Sequence, residues 1–190
     1  MTAPPEIETL SSRPIYANPW LRVREDEIRR RDGSTGIYGV VEKDDFAVIV
    51  PVEPDGAVHL VEQFRYPVGA RYWELPQGAW QGEDAPDPLV LARGELREAT
   101  GLLAGRMTAI GDLFVSYGYA TQRFHLFVAT ELTPGAPMLD AEEQGLVSRR
   151  FAWPDVRRML ADGTIKDAVT VAAFGLLALK GLLHSGAGEA

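Results

Sequence analysis

The segment that decides the fold runs from Glu74 to Leu102 and reads ELPQGAWQGEDAPDPLVLARGELREATGL. Its second half has the start and stop signals of a helix. Asp87 is a favoured N-cap residue, Pro88 suits the first helical turn, and Gly101 is a common residue just past a helix end. The segment therefore predicts a turn-rich, acidic loop followed by a helix that ends at about Thr100.

This helix is predicted to carry its apolar and acidic residues on different faces. At 100° per residue, Leu89, Ala92 and Leu96 fall on one stripe, which predicts the core face. Glu95 and Glu98 lie three residues apart on a neighbouring face. Two glutamates alone usually form a solvated surface, but a helix that presents carboxylates behind a glycine-containing loop suits a hard divalent cation such as Mg²⁺ or Mn²⁺.

The patterns outside this segment mainly predict strands. Residues 1–14 are rich in Pro, Ser, Thr and Glu and predict a loose arm, and the turn RDGS separates two strand patterns that predict an N-terminal hairpin. The continuous apolar run FAVIVPV, residues 46–52, predicts a buried strand. Two more helices are predicted near the end, the last of them capped by Asp167. This order favours an α+β fold over a doubly wound parallel sheet.

Composition narrows the function classes. The chain has 190 residues, a formal net charge of −8 and no cysteine. An acidic chain is a poor general binder of nucleic acid, and an anionic substrate would need a local basic group or a cation. Without cysteine there is no thiolate nucleophile or thiolate metal site. The first residues lack a signal-peptide pattern, and the longest apolar stretch is too short and interrupted to span a membrane, so we expect a soluble, cytoplasmic protein.

The Glu74–Leu102 segment resembles the Nudix box. That pattern is a glycine, five residues, a glutamate, seven residues, then Arg-Glu-apolar-any-Glu-Glu-any-Gly-apolar. The matching residues are Gly78, Glu83, Glu95, Leu96, Glu98, Gly101 and Leu102. The resemblance implies a Nudix fold, with a mixed β-sheet core and flanking helices.

The match departs from the family pattern at defined positions. The arginine expected before Glu95 is Gly94, and the second glutamate of the Glu-Glu pair is Ala99. Three extra residues separate Glu83 from Glu95. The loss at Ala99 removes one carboxylate, which predicts weaker metal affinity or a shifted ligand set.

Longer stretches resemble the ADP-ribose pyrophosphatase branch of the family. They are VEQFRYPV (61–68), WELPQG (73–78), DAEEQGL (140–146) and GTIKDAVTVAAF (163–174). The resemblance implies metal-dependent hydrolysis of the diphosphate of an ADP-sugar, with ADP-ribose giving AMP and ribose 5-phosphate. Two alternatives stay open: action on another nucleoside diphosphate derivative, and a silent nucleotide-binding domain, because Ala99 and Gly94 break the box.

The resemblance also implies roles for individual residues. Glu95, Glu98 and the backbone carbonyl of Gln77 would hold Mg²⁺ or Mn²⁺, with Glu98 counted among the catalytic residues. Either Glu142 or Glu143 would orient the attacking water as general base, or hold a metal. Glu143 is favoured because Gln144-Gly145-Leu146 follows it, as in the family's loop.

The substrate-binding set predicted for the nucleotide sugar is Arg65, Glu62 and Trp73. Arg65 suits bidentate pairing with a phosphate, although a salt bridge to Glu62 or another nearby acid fits the sequence equally well. Trp73 is one of several aromatic residues able to stack on adenine, and the alternative for each of them is a core or dimer contact.

The resemblance sets the expected organisation. Residues 1–45 form an N-terminal arm and hairpin, residues 46–184 form the Nudix domain with its C-terminal helix, and residues 185–190 form a flexible tail. The long amphipathic hairpin would pack against a twofold mate, so we expect a homodimer.

Overall fold

The computed structural model describes residues 5–79, 87–135 and 145–183. The chain divides into two compact units. The first comprises Met1–Asp45 together with Phe114–Arg123, and the second comprises Phe46–Leu113 together with Phe124–Ala190.

The first unit is built on a three-stranded antiparallel sheet. Its strands are β1 (Ile7–Asn18), β2 (Leu21–Arg30) and β3 (Thr35–Glu42), in the order β1-β2-β3. The β2–β3 hairpin is confirmed, and Gly33 sits at its turn with a φ of 83° that favours glycine. The segment 114–123 joins this unit through hydrogen bonds in both directions between Val41 and the Tyr119–Thr121 stretch.

The expectation of a loose arm is wrong for residues 7–14, which form most of β1. The cause is non-local pairing with the arginine- and glutamate-rich strand β2. Arg13 bonds Glu25 and Glu8 bonds Arg29, while Thr9 lies opposite Ile28. A polar composition that indicates disorder in isolation is therefore accommodated by a strand with complementary charges.

The second unit contains two sheets and three helices. Its strands are β4 (Phe46–Pro51), β5 (Val58–Arg65), β6 (Ala70–Glu74), β7 (Gln77–Gly78), β8 (Leu102–Phe114), β9 (Arg123–Pro134) and β10 (Val147–Phe151). One sheet has the order β10-β5-β6, and the other has the order β7-β4-β9-β8. The helices are α1 (Pro88–Thr100), α2 (Trp153–Ala161) and α3 (Ala168–Leu179). Within the described residues no helix is long and apolar enough to cross a membrane.

Strand β4 is buried along its whole length because both of its faces are covered. Phe46, Val48 and Val50 join the core cluster that contains the buried residues of α2 and α3. Ala47 and Ile49 join a second cluster with buried residues of α1. This two-sided burial explains the continuous apolar run in the sequence, and β4 pairs with β9 in parallel.

Helix α1 begins and ends as predicted. The Asp87 carboxylate accepts from the backbone N–H of Leu89, and Gly101 closes the helix with a φ of 71°. The predicted core stripe is wrong at Leu89, which is 37% exposed. The buried face consists of Leu91, Ala92, Leu96 and Ala99. The packing of α1 against the cluster that contains Ala47 and Ile49 of β4 begins at Leu91.

Candidate active site

Helix α1 places Glu95 against the short strand β7. A Cβ added at Gly78 would lie 2.6 Å from Oε1 of Glu95 and 2.5 Å from its carboxyl carbon, so any larger residue here would displace the Glu95 carboxylate from its present position. Glu98 is one turn further along the same helix, and both glutamates are half-buried. The structure therefore brings Glu95 next to the residue that follows Gln77.

The backbone of Gln77 is fixed by the buried strand β4. Gln77 lies opposite Val48 and Gly78 lies opposite Ala47 in the β4–β7 pairing. The side-chain amide of Gln77 donates to Oδ2 of Asp167, at 3.3 Å. A backbone carbonyl at this position would be a rigid ligand, because the strand pairing leaves it little freedom.

Asp167 ties the residues before β7 to the start of α3. Its Oδ2 accepts from the backbone N–H of Thr170 at 2.8 Å and from the Thr170 hydroxyl at 2.7 Å. The same hydroxyl accepts from the backbone N–H of Leu75 at 2.9 Å, and Thr170 is fully buried. The sequence predicted Asp167 as a helix cap, which is confirmed, but not its bond to Gln77.

A buried carboxylate stands beside this turn. Glu74 is 2% exposed and accepts from Arg65 through Nε at 3.1 Å and Nη2 at 2.5 Å, and from Nε2 of Gln63 at 2.9 Å. Burial raises the pKa of the Glu74 carboxyl above its ordinary value. Arg65 and Gln63 oppose this rise, whereas the negative charge of Asp167 adds to it.

The structure resolves the two readings of Arg65 only in part. Its guanidinium is paired with a nearby acid, but that acid is Glu74 and not Glu62. The Arg65 side chain is 41% exposed, so it also reaches solvent. Sequence reasoning missed Glu74, although an acidic residue between Trp73 and Leu75 is itself a signal of a buried, partnered carboxylate.

The predicted substrate-binding set is divided by the β5–β6 sheet. Arg65 shares one face with Glu74, whereas Glu62 and Trp73 lie opposite each other on the other face. Glu62 pairs with Nε of Arg71 at 3.0 Å. Glu62 and Trp73 are therefore not brought together with Arg65.

Two further contacts describe that second face. The ring of Trp73 packs edge-on against Phe151, with centroids 4.8 Å apart, and lies against the core. Arg71 donates through Nη2 to the carbonyl of Gly145, at 2.6 Å. Arg71 was not predicted to have a role, and this bond fixes the residue that directly follows the acidic 136–144 stretch.

Three predicted acids, Glu83, Glu142 and Glu143, lie outside the described residues. In the ranges 5–79, 87–135 and 145–183, no three His, Cys, Asp or Glu side chains are grouped so as to hold a metal ion. The donors that these ranges do offer, the carboxylates of Glu95 and Glu98 and the carbonyl of Gln77, are oxygens. They fit a hard divalent cation as a partial ligand set.

Comparison with known proteins gives relatives along nearly the whole chain. A family model described as the nucleoside diphosphate sugar hydrolase N-terminal domain matches residues 7–41. The ADP-ribose pyrophosphatase of Mycobacterium tuberculosis (strain ATCC 25618 / H37Rv) is 30% identical over 175 residues, covering 92% of this chain and 83% of the relative. The ADP-ribose pyrophosphatase of Bacillus subtilis (strain 168) is 24% identical over 181 residues, covering 95% and 97%.

A solved structure confirms the fold class. The crystal structure of an ADP compounds hydrolase matches with a TM-score of 0.81 at 18% identity, covering 96% of this chain and all of that one. At this identity the likeness shows the fold, which is the predicted α+β Nudix architecture. The mycobacterial relative, with 30% identity over 92% of this chain, shows the family: the chain belongs to the Nudix hydrolases, in the family of the ADP-ribose pyrophosphatases.

Proposed function

We propose that this protein hydrolyses the diphosphate bond of an ADP-sugar, with ADP-ribose as the leading substrate and AMP and ribose 5-phosphate as products. The observation that carries the proposal is the contact between the Glu95 carboxylate and Gly78, next to the backbone of Gln77. It joins the two halves of the Nudix box in one place. The names of the two pyrophosphatase relatives support the choice of substrate.

Nudix hydrolases in general need a divalent metal ion. Here Glu95, Glu98 and the carbonyl of Gln77 would hold it, and their oxygen chemistry favours Mg²⁺ or Mn²⁺. Such an ion neutralises diphosphate oxygens and makes a bound water more nucleophilic. Ala99 is only 5% exposed and supplies no carboxylate, so we expect weaker metal binding than a chain with glutamate there would show.

Protein groups supply the remaining functions. Arg65 would contact the diphosphate with the part of its guanidinium that reaches solvent, while Glu74 holds the other part in place. Glu142 or Glu143 would orient the attacking water, as the resemblance implies. No covalent intermediate is required: the oxygen of water bonds to one phosphorus, the bond from that phosphorus to the bridging oxygen breaks, and the bridging oxygen leaves on the other phosphate. The products are AMP and ribose 5-phosphate, and the protons of water are released to solvent or to these phosphates.

The direct test is a turnover assay on a substrate panel. The purified protein is incubated with ADP-ribose, ADP-glucose, a dinucleoside polyphosphate and a nucleoside triphosphate, with Mg²⁺, with Mn²⁺ and with EDTA, and products are separated by chromatography. We expect AMP and ribose 5-phosphate from ADP-ribose with either metal and none with EDTA. Cleavage of another diphosphate with ADP-ribose untouched would overturn the substrate, and nucleotide binding without any turnover would overturn the activity.

We also propose that the sheet β1–β3 mediates a homodimer. Within the described residues of the first unit, several large apolar side chains are exposed, among them Ile15 at 50%, Trp20 at 54% and Ile37 at 66%. Exposed apolar groups of this size are typical of interaction surfaces. A twofold contact through one shared surface would cover them in both copies.

Light scattering after gel filtration tests the dimer. We expect twice the chain mass of 20.8 kDa for the native protein and a shift towards the monomer for Ile37→Glu. Leu179→Glu is the matched control, because Leu179 is 88% exposed in the second unit. A native protein that stays monomeric at high concentration would contradict the proposal.

A further inference from the structure

Lys166 is a cation held on the same sheet face as Arg65 and Glu74. It lies between α2 and α3, and its Nζ is 5.8 Å from the ring centroid of Tyr72. Tyr72 and Glu74 are two residues apart on β6, so their side chains lie on one face. In the part of the chain that the structure describes, Lys166 has no acidic partner and is exposed.

The neighbours of Lys166 fix its backbone. Ile165 is 2% exposed, and its N–H donates to the carbonyl of Met159 at 3.0 Å. Asp167, on the other side, caps α3 and accepts from the amide of Gln77. Lys166 thus directly precedes Asp167, the residue that bonds Gln77. Gly78 follows Gln77 and lies against the carboxylate of Glu95. The backbone of Lys166 is therefore held next to the residue that bonds Gln77, whose carbonyl is a proposed metal ligand.

The two cations on this face, Arg65 and Lys166, differ in whether an acidic side chain neutralises their charge. The guanidinium of Arg65 is bonded at two nitrogens to the buried carboxylate of Glu74, so the ionised pair has little net charge. Lys166 has no such compensation among the described residues. The chain has a net charge of −8, so an anionic ligand is attracted only by local positive charge. On this face Lys166 should attract such a ligand more strongly than the neutralised Arg65 does.

We propose that Lys166, whose ammonium group lies over the ring of Tyr72, binds a phosphate oxygen of the nucleotide-sugar diphosphate. This assignment rests on the proposed function and adds a second substrate-binding cation to Arg65. Lys166 touches substrate in both the ground state and the transition state. Its loss is therefore expected to raise KM with little change in kcat.

The kinetic test compares Lys166→Met with Lys180→Met. Methionine keeps an unbranched side chain of similar length while it removes the charge, and Lys180 is exposed at the end of α3. We expect KM for the ADP-sugar to rise about tenfold in Lys166→Met, as befits loss of a charge-assisted hydrogen bond, to recover in Lys166→Arg, and to stay unchanged in Lys180→Met. An active Lys166→Met variant with native KM would overturn the role of Lys166 and leave the hydrolase function standing.

A labelling test needs no turnover. The sequence has three lysines, Lys43, Lys166 and Lys180, so amine acetylation can be followed at each by peptide mass spectrometry. The probe is the α,β-methylene analogue of ADP-ribose, whose bridging carbon resists hydrolysis. We expect it to protect Lys166 and not the other two. Equal labelling of Lys166 with and without saturating analogue would overturn the proposal, whereas protection of Lys166 in a protein that cleaves no nucleotide sugar would overturn only the hydrolase function.

Discussion

Each of the two units contains a nearly inaccessible acid paired with arginine, and the pKa values of the two acids are shifted in opposite directions. In the first unit Asp26, 5% exposed, accepts from Nε of Arg24 at 3.1 Å, and the pKa of its carboxyl is lowered. In the second unit Glu74, 2% exposed, accepts from Arg65, and the pKa of its carboxyl is raised. An ion pair alone therefore does not determine the direction of the shift.

The difference lies in what covers each acid. In the sheet β1–β3, a hydrogen bond from the Ser12 side chain and then the pairing with Arg24 outweigh the cost of desolvating Asp26. Glu74 lies beside a packed core, and burial outweighs Arg65 and Gln63. Cover by neighbouring polar groups stabilises a charge, whereas burial in a core disfavours it. The second arrangement is the one found next to the candidate active site.

The largest effect on activity is expected at Glu95 and Glu98, the α1 carboxylates that we assign to the active site of the second unit. Glu95→Gln and Glu98→Gln each remove an anionic oxygen ligand, and loss even of an outer-shell partner typically costs 10–100-fold. We expect kcat/KM to fall by roughly 10²-fold or more, measured with saturating Mg²⁺. Glu131→Gln is the control, since Glu131 is an exposed acid of the same unit paired with Arg106. Equal activity in all three variants would contradict the assignment.

The next largest effect is on the free energy of unfolding, which should fall more when Glu74 is removed than when Asp26 is removed. Glu74→Ala leaves Arg65 and Gln63 without their buried partner, and breaking such a pair is expected to lower the free energy of unfolding by about 2–4 kcal/mol. Asp26→Ala should cost less, because Arg24 keeps Glu42 as a second partner. Urea denaturation of both variants measures this. A larger loss of unfolding free energy for Asp26→Ala than for Glu74→Ala would contradict this difference between the two acids.

The pH dependence of stability should carry opposite signs for the two acids. The folded state holds the Glu74 proton more tightly than the unfolded chain, so the free energy of unfolding should fall as pH rises from about 4.5 towards the raised pKa. For Asp26 the stabilisation is present above about 3.8 and is lost as pH falls through the lowered pKa.

Matched amide variants separate these two contributions. Urea denaturation between pH 3 and 7 should show that Glu74→Gln removes the downward slope above about pH 4.5, and that Asp26→Asn removes part of the acid-side loss below about pH 3.8. Asp32, Asp55 and Asp162 also have lowered pKa values, so the acid-side loss is shared among several groups. The same pH profile for Glu74→Gln as for the native protein would show that Glu74 is not the group responsible.

The smallest expected effect tests the link between α3 and the turn before β7. Thr170→Val keeps the shape of the side chain but leaves the buried N–H of Leu75 without its acceptor, at a cost of about 1–2 kcal/mol in the free energy of unfolding. We also expect a severalfold loss of activity, because Asp167 and Gln77 lose support. Thr108→Val, at an exposed position of β8, should change neither quantity.

The sequence predicted the features that depend on local patterns. The caps of α1, the buried strand β4 and the β2–β3 hairpin follow from turn residues and periodicity close to each element. Strand β1 could not be predicted in the same way, because its polar residues are satisfied only by a distant strand. The predicted burial of Leu89 was wrong because helical periodicity does not show which turns of a helix a neighbouring sheet covers.

The site was predictable to a similar extent. The Nudix pattern singled out Gly78 and Glu95, which lie side by side in the structure, but the pairing of Arg65 with Glu74 depends on tertiary burial that no local pattern gives. The separation of Glu62 from Arg65 was available from the sequence, because residues three apart on a strand point to opposite faces. The predicted roles of Glu142 and Glu143 stay predictions.

The central claim is that Glu95 and Glu98 hold the divalent cation at which the diphosphate is cleaved. Anomalous diffraction from crystals grown with Mn²⁺ and the α,β-methylene analogue of ADP-ribose tests it most directly. We expect a manganese peak bonded to a carboxylate oxygen of Glu95 or Glu98 and to a phosphate oxygen of the analogue. A fully occupied nucleotide whose manganese ions touch neither glutamate would contradict it.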